Sequence, residues 1–384
     1  MNNFKTIIFI ILFIELNVSC KYQKGKNSFN SPVSIEKAFY GVTKDNQDVY
    51  QFSLRNKNGM EINIITYGGI ITKWKAKDKF NHFNDIVLGF NSLSRYESSS
   101  PYFGAIVGRY GNRISKGKFK LNNKDYFLTT NDNKNHLHGG LKGFDKVIWE
   151  AQIINYDSIT SLELKYLSKD MEEGYPGNLE TKVIYTLNNM DELTVNYEAK
   201  TDKTTIVNLT QHSYFNLSGN FNNDILSHEL VINADSFIPV DISLIPIGEI
   251  RNVEGTPFDF KKRKKIGKEI NYENQQIING KGYDHCWVLN DQENDLRFVA
   301  SVYEEKSGRF LEIFSTEPGV QFYSGNFLDG TLESKTNGTY NFRSGFCLET
   351  QHYPDSPNQP KFPSVVLSPG DIYKSKTIYR LSNK

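Results

Sequence analysis

The chain reads as an all-β protein folded into one large sandwich domain. Two observations carry that expectation. Hydrophobicity alternates with a period of two along much of the chain, and no sustained helical stripe, internal repeat or composition break interrupts residues 35 to 384. Successive side chains of a strand leave opposite faces, so alternation marks a surface that is apolar on one side only. Taken in order, Ile62 and Ile64 form a short segment of this kind after the turn signal Asn58-Gly59. Leu162, Leu164 and Tyr166 alternate with Glu163 and Lys165, and Val183, Tyr185 and Leu187 repeat the pattern up to Asn188-Asn189. Leu193, Val195, Tyr197 and Ala199 then alternate with Thr194, Asn196 and Glu198. Phe298, Ala300 and Val302 make a further segment before Ser307-Gly308, and Ile378 and Arg380-Leu381 lie in another near the end. A parallel, doubly wound sheet needs helices between its strands, and the intervals here are too short or too polar for them.

Composition narrows the possible partners. The chain has 384 residues with 13% aromatic side chains, enough for a large core, and its 28 Gly and 12 Pro are spread along its length as in a folded protein. A net charge of +1 gives no bulk electrostatic case for nucleic acid or an acidic membrane. The basic run from Lys261 to Lys265 reads as a solvated loop in a chain of neutral balance. Gly111 and Gly117-Lys118 lack the spacing and the Ser or Thr of a phosphate-binding loop, and no Gly-x-Ser-x-Gly elbow occurs.

The N-terminus differs in kind. Thr6 to Ile14 is an apolar run too short to span a bilayer and suited to the core of a secretory signal. Cys20 stands where a lipoprotein signal is cut and its Cys acylated, although Asn17 occupies the place where leucine is usual. The expectation is a signal peptide over residues 1–20, a lipid anchor at Cys20, a polar tether over 21–34 and a folded domain over 35–384, exported to the periplasm or cell envelope. Cys286 and Cys347 sit in apolar runs and are expected as buried free thiols.

Five polar stretches look out of place in a purely structural role. Gly108 to Ile114 (GRYGNRI) offers the amide of Asn112 and the guanidinium fork of Arg113, which suits adjacent hydroxyl groups. Asn135 to Gly140 (NHLHGG) places His136 and His138 on one face if the segment is a strand, with glycines that let backbone come close. That pair lacks a third ligand at metal spacing, so a hydrogen-bonding His is preferred to a metal site. Asn208 to Gly219 (NLTQHSYFNLSG) surrounds His212 with apolar residues, and an imidazole there is either a satisfied core group or a proton donor and acceptor. Gly282 to Leu289 (GYDHCWVL) leads with Asp284, which either caps a turn or accepts from a ligand hydroxyl. Phe346 to Pro357 (FCLETQHYPDSP) delivers Glu349 at the end of an apolar run, a way to hold a general base at a loop mouth.

In this order the stretches resemble the aldose 1-epimerases (galactose mutarotases), as do Asn63 to Trp74, Gly255 to Phe260 and Leu367 to Tyr373. The resemblance spans about residues 35 to 384. It implies a large antiparallel β-sandwich, the galactose mutarotase-like supersandwich, with a sugar site in a cleft on one face. It implies interconversion of the α and β anomers of free aldohexoses such as glucose and galactose. Glu349 is implied as general base and His212 as general acid, with Arg113, His138 and Asp284 holding sugar hydroxyls and Asn112 beside them. No metal and no organic cofactor are implied, and the expected state is a monomer or weak dimer. An unperturbed imidazole, with a pKa of about 6.5, is mostly neutral at pH 7. A carboxylate near His212, either Glu349 or Asp284, is therefore expected to favour its charged form, giving a bell-shaped pH dependence. Tyr214, Tyr283 and Trp287 are candidates for stacking on a sugar, with core packing the default for each. The competing reading is an envelope-tethered carbohydrate-binding protein without catalysis. A phosphorylated-hexose epimerase is disfavoured by the lack of an extra Arg cluster. Glycoside hydrolysis would require Asp284 and Glu349 to flank a scissile bond.

Overall fold

A computed structural model describes residues 33–157 and 159–384. The expected signal sequence, the Cys20 anchor and the tether as far as residue 32 lie outside the described residues. The fold starts slightly before the expected boundary. Ser34 already pairs with Arg55, and Val33 ahead of it is buried in the main core, which anchors the first strand.

The all-β expectation holds, and three antiparallel sheets carry the architecture. The largest has nine strands, in the order Glu150–Tyr156, Ile159–Ser168, Leu179–Leu187, Glu192–Thr201, Tyr373–Asn383, Arg309–Ser315, Arg297–Tyr303, Glu229–Ile232 and Lys264–Lys265. The C-terminal strand Tyr373–Asn383 therefore lies in the middle, paired with Glu192–Thr201 on one side and Arg309–Ser315 on the other. A five-stranded sheet runs consecutively from Ser34–Val42 to Phe83–Asp85. The third sheet, also five-stranded, orders Arg251–Asn252, Ser236–Ile238, Asp284–Val288, Gly319–Tyr323 and Cys347–Gln351, and it carries much of the functional site. Helix among the described residues is confined to Leu93–Ser99, Gln275–Gly280 and short 3-10 turns.

Alternation decides which side chains enter the core. Leu179, Val183, Tyr185 and Leu187 are buried while Glu180, Lys182 and Ile184 between them face outward. One cluster joins Ile62, Ile64 and Trp74 of the first sheet, Leu164, Val195 and Ile313 of the nine-stranded sheet, and Trp287, Phe322 and Leu348 of the third. Each fully buried side chain of this kind contributes roughly 1.5–3 kcal/mol. Simple alternation lapses where a strand is buried on both faces, as over Ser161–Leu164, and where it is bulged. A bulge between Phe298 and Ala300 turns the strand, so Val299, Ala300 and Val302 are buried and Phe298 instead packs on Phe314. Cys286 and Cys347 are buried free thiols.

Candidate active site

Asn112, Arg113, His138, His212, Asp284 and Glu349 all line one cavity of about 170 Å³. Glu349 does not end its strand, as the apolar run before it led us to expect. It is the central residue of Cys347–Gln351, because the ladder to Gly319–Tyr323 continues through Gln351. Leu348 turns into the core, and Glu349 lies opposite Gln321 with only 2% of its surface exposed. His212 ends the strand Thr210–His212, which pairs with Ala105–Val107, and its Nε2 lies 3.6 Å from Glu349 Oε1. Tyr102 and Tyr214 flank the imidazole, with ring centroids 5.7 and 5.0 Å away.

The opposite wall is built by turns. Asn112 adopts a left-handed conformation (φ 68°), and its side-chain carbonyl accepts the Arg113 amide at 2.8 Å. The Arg113 guanidinium donates to Asp132 at 2.9 Å and lies 3.9 Å from Asp284. His136 and His138 do not share a face. The strand stops at Leu137, and His138 turns left-handed (φ 51°) into the cavity. His136 is instead a core group, bonded to the Thr129 carbonyl and the Tyr175 hydroxyl at 2.6 Å each. Gly139 (φ 88°) is required here, since a Cβ would fall 1.8 Å from the Gly108 carbonyl oxygen. Asp284 opens the strand Asp284–Val288 and accepts from the Gln321 amide at 2.7 Å.

Burial dominates the electrostatics. It pushes Glu349 well above the usual carboxyl range, with Asp284 adding to the effect and Arg113 opposing it. Burial also lowers His212 to about 4, contrary to the expectation that a neighbouring carboxylate would hold it charged. The same burial disfavours the carboxylate form of Glu349, which weakens the charge that would hold the imidazolium. His138 is held well below its ordinary value by burial and by His212, Arg113 and Lys146. Burial thus favours, as the resting pair, a carboxylic acid facing a neutral imidazole.

Among the described residues, His138, His212 and Glu349 bring ligand atoms within 4.8 Å of one another. The donor set does not suit a metal. The Asn112 amide donates to His138 Nδ1 at 3.1 Å, so the His138 proton resides on Nε2 and leaves no lone pair for an ion. A larger concavity of about 580 Å³, lined by Lys165, Lys182 and Glu198 among others, lies on the outer face of the nine-stranded sheet. There Lys182 pairs with Glu198 at 3.3 Å and Lys165 with Glu163, and it holds no acid/base pair of this kind.

Several conspicuous motif residues prove to be framework. Asn208 donates to the Gly111 and His352 carbonyls at 3.1 and 3.3 Å and accepts the His352 amide at 2.9 Å, tying three motifs together. Gln211 spans from the Tyr185 hydroxyl to the Gly104 carbonyl. Asp355 accepts the Ser115 amide and donates its own amide to the Arg113 carbonyl. Tyr283 and Trp287 are fully buried core residues, whereas Tyr214 lines the cavity. Gln321 and Tyr102 are among the residues at the site that the sequence did not point to. Gln321 has a weak signal, a lone amide in the apolar strand Gly319–Tyr323. Tyr102 has none, since only the fold brings its ring against both histidines, and its φ of 65° is rare for a bulky side chain.

An acid/base pair buried in the wall of a small cavity of hydrogen-bonding groups defines an enzyme that moves protons on a hydroxyl-rich ligand. Comparison with known proteins says which. The aldose 1-epimerase family matches residues 50–380. The chain is 46% identical to galactose mutarotase of Bos taurus over 351 residues, covering 91% of this chain and 99% of the relative. It is 44% identical to the Homo sapiens protein of the same name over 350 residues, again covering 91% and 99%. Identity to aldose 1-epimerase of Escherichia coli is 35%, covering 88% and 97%. The crystal structure of galactose 1-epimerase from Lactobacillus acidophilus is similar with a TM-score of 0.79 at 29% identity, covering 91% of this chain and 99% of that one. The chain belongs to the aldose 1-epimerase family and is an isomerase.

Proposed function

We propose that the protein interconverts the α and β anomers of free aldohexoses, glucose and galactose among them, by opening and reclosing the ring. The observation that carries this reading is the 3.6 Å approach of His212 Nε2 to Glu349 Oε1 inside the cavity. An aldose ring is a hemiacetal, so opening it needs proton transfers at neighbouring oxygens. Glu349 takes the proton of the C1 hydroxyl while His212 gives its Nε2 proton to the ring oxygen. The electrons of the C1–ring oxygen bond leave with that oxygen, and C1 becomes an aldehyde carbon. Rotation about C1–C2 presents the other face, and the reverse transfers close the ring. The resting pair already holds the required number of protons. Moving one from Glu349 to His212 yields the carboxylate and imidazolium that start the reaction. Arg113, His138 and Asp284 supply donors and an acceptor for the remaining hydroxyls, and Asn112 supports Arg113 and His138. Positioned acid/base groups each contribute roughly 10²–10⁴-fold.

A purely binding role leaves this pair unexplained, since a buried carboxyl with an unpartnered oxygen destabilises a fold. Polarimetry on freshly dissolved α-D-glucose and α-D-galactose tests the proposal. Residues 21–384 should speed the approach to equilibrium rotation and the Glu349→Gln variant should not. If neither sugar responds while calorimetry detects binding, the non-catalytic reading replaces this one. The proposal includes export with acylation at Cys20, supported by the apolar run from Thr6 to Ile14. Metabolic labelling with a fatty acid, lost on Cys20→Ser, is the check. A monomer or weak dimer is proposed as the solution state, to be read by analytical ultracentrifugation.

A further inference from the structure

Two imidazoles share the cavity, and what faces each Nδ1 sets them apart. His138 Nδ1 accepts the Asn112 amide proton at 3.1 Å, so a second ring proton would meet that N–H head-on. His138 is thereby a fixed Nε2–H donor. His212 Nδ1 instead faces the sulfur of Cys347 at 3.5 Å. Sulfur is both a weak donor and a weak acceptor, so this partner tolerates a proton on Nδ1.

That tolerance matters for the chemistry. A histidine that gives its Nε2 proton to a ring oxygen must start as imidazolium and finish as a neutral ring carrying its proton on Nδ1. The neutral Nε2–H tautomer could give that proton only by becoming an imidazolate anion. We propose that Cys347 is a positioning residue whose sulfur accepts the Nδ1–H of His212, keeping Nε2 as the atom that takes and gives the proton. The inference rests on the acid role assigned to His212 above.

The thiol is the side-chain partner of Nδ1. The main-chain carbonyl of His212 also acts on its own ring, raising its pKa, but it already accepts the Gly104 amide at 2.9 Å and so shares Nδ1–H with the sulfur. Tyr102 and Tyr214 hold the two faces of the ring, Glu349 faces Nε2, and His138 lies edge-on with centroids 5.1 Å apart. Sandwiched in this way the ring cannot turn over, so the Cys347 contact selects between tautomers and not between orientations. The thiol stays protonated, since burial together with Glu349 and Asp284 raises it well above the ordinary range, and it remains a neutral partner.

The test is ¹⁵N NMR of histidine side chains in the intact protein, with His212 assigned by its loss in His212→Gln. The expected spectrum shows His212 protonated at Nδ1 and bare at Nε2, and His138 with the reverse pattern. Cys347→Ala should shift the His212 Nδ1 signal and lower kcat by ~3- to 10-fold, the effect of one weak hydrogen bond, with KM little changed. Cys347→Ser, whose hydroxyl can still accept, should recover most of the loss. A wild-type spectrum with the His212 proton on Nε2 overturns the proposal without any variant. So does a Cys347→Ala protein with unchanged Nδ1 signal, kcat and pH profile. If the wild type shows the expected tautomers and the expected Cys347→Ala shift but no mutarotation, the positioning contact stands and the proposed function fails.

Discussion

Glu349→Gln separates catalysis from stability in one substitution. Glu349 is almost fully buried, its Oε2 has no partner, and its pKa lies well above the usual range. The sign of the stability effect follows from proton binding. In the unfolded chain the carboxyl ionises above about pH 4.3, whereas the folded protein holds the proton to a higher pH. The stabilising effect of that tightly held proton is full below the unfolded value and is lost as pH rises toward the folded value, at about 1.4 kcal/mol per pH unit. Glutamine keeps the shape and removes the titration. It leaves an unpartnered amide whose cost does not vary with pH. The expected signature is a gap between variant and wild type that moves in favour of the variant as pH rises from 4 upward. For a chain of this size the gap should amount to ~1–2 °C in Tm per kcal/mol. Thermal unfolding at several pH values reads the gap, and polarimetry should show kcat lower by roughly 10²–10⁴-fold. A gap that stays constant with pH, or that moves against the variant, refutes the burial argument. Near-normal turnover refutes the base assignment.

Other consequences are equally direct. The acid limb of kcat/KM should lie near the His212 value of about 4, because a second proton on the pair then leaves no base, and a limb near 6.5 would show that burial does not control this imidazole. Gln321→Ala removes the amide that holds Asp284 and should raise KM by roughly 3- to 10-fold with a smaller change in kcat; equal losses in both would place Gln321 in the chemical step. Arg309→Met strips the fully buried guanidinium that donates to the Ala76 and Leu217 carbonyls and to Asn84, and urea unfolding should show a loss of roughly 3 kcal/mol or more. Treatment with a chelator should leave turnover unchanged, since the Asn112 amide leaves His138 Nε2 protonated; loss of activity that zinc restores would contradict the tautomer.

The sequence by itself determined the sheet-forming pattern and most of the chemistry. Leu164, Val183 and Val195 alternate with polar neighbours because a strand has two faces, and that is a local property which survives any tertiary arrangement. The motif order sufficed to name Glu349, His212, Arg113, His138, Asp284 and Asn112, all of which the fold brings to one cavity. What only the tertiary structure decided depends on contacts between residues far apart in the chain. The bulge at Phe298 breaks a pattern that alternation alone would continue. The left-handed turn at His138 parts it from His136, which a strand would have aligned with it. Tyr102 reaches the histidines only through the fold, and Gln321 meets Glu349 only through strand pairing. The charge states were illegible for the same reason. A pKa follows from how much water the fold removes, and burial favours the uncharged forms of Glu349 and His212 where proximity alone predicted an ion pair.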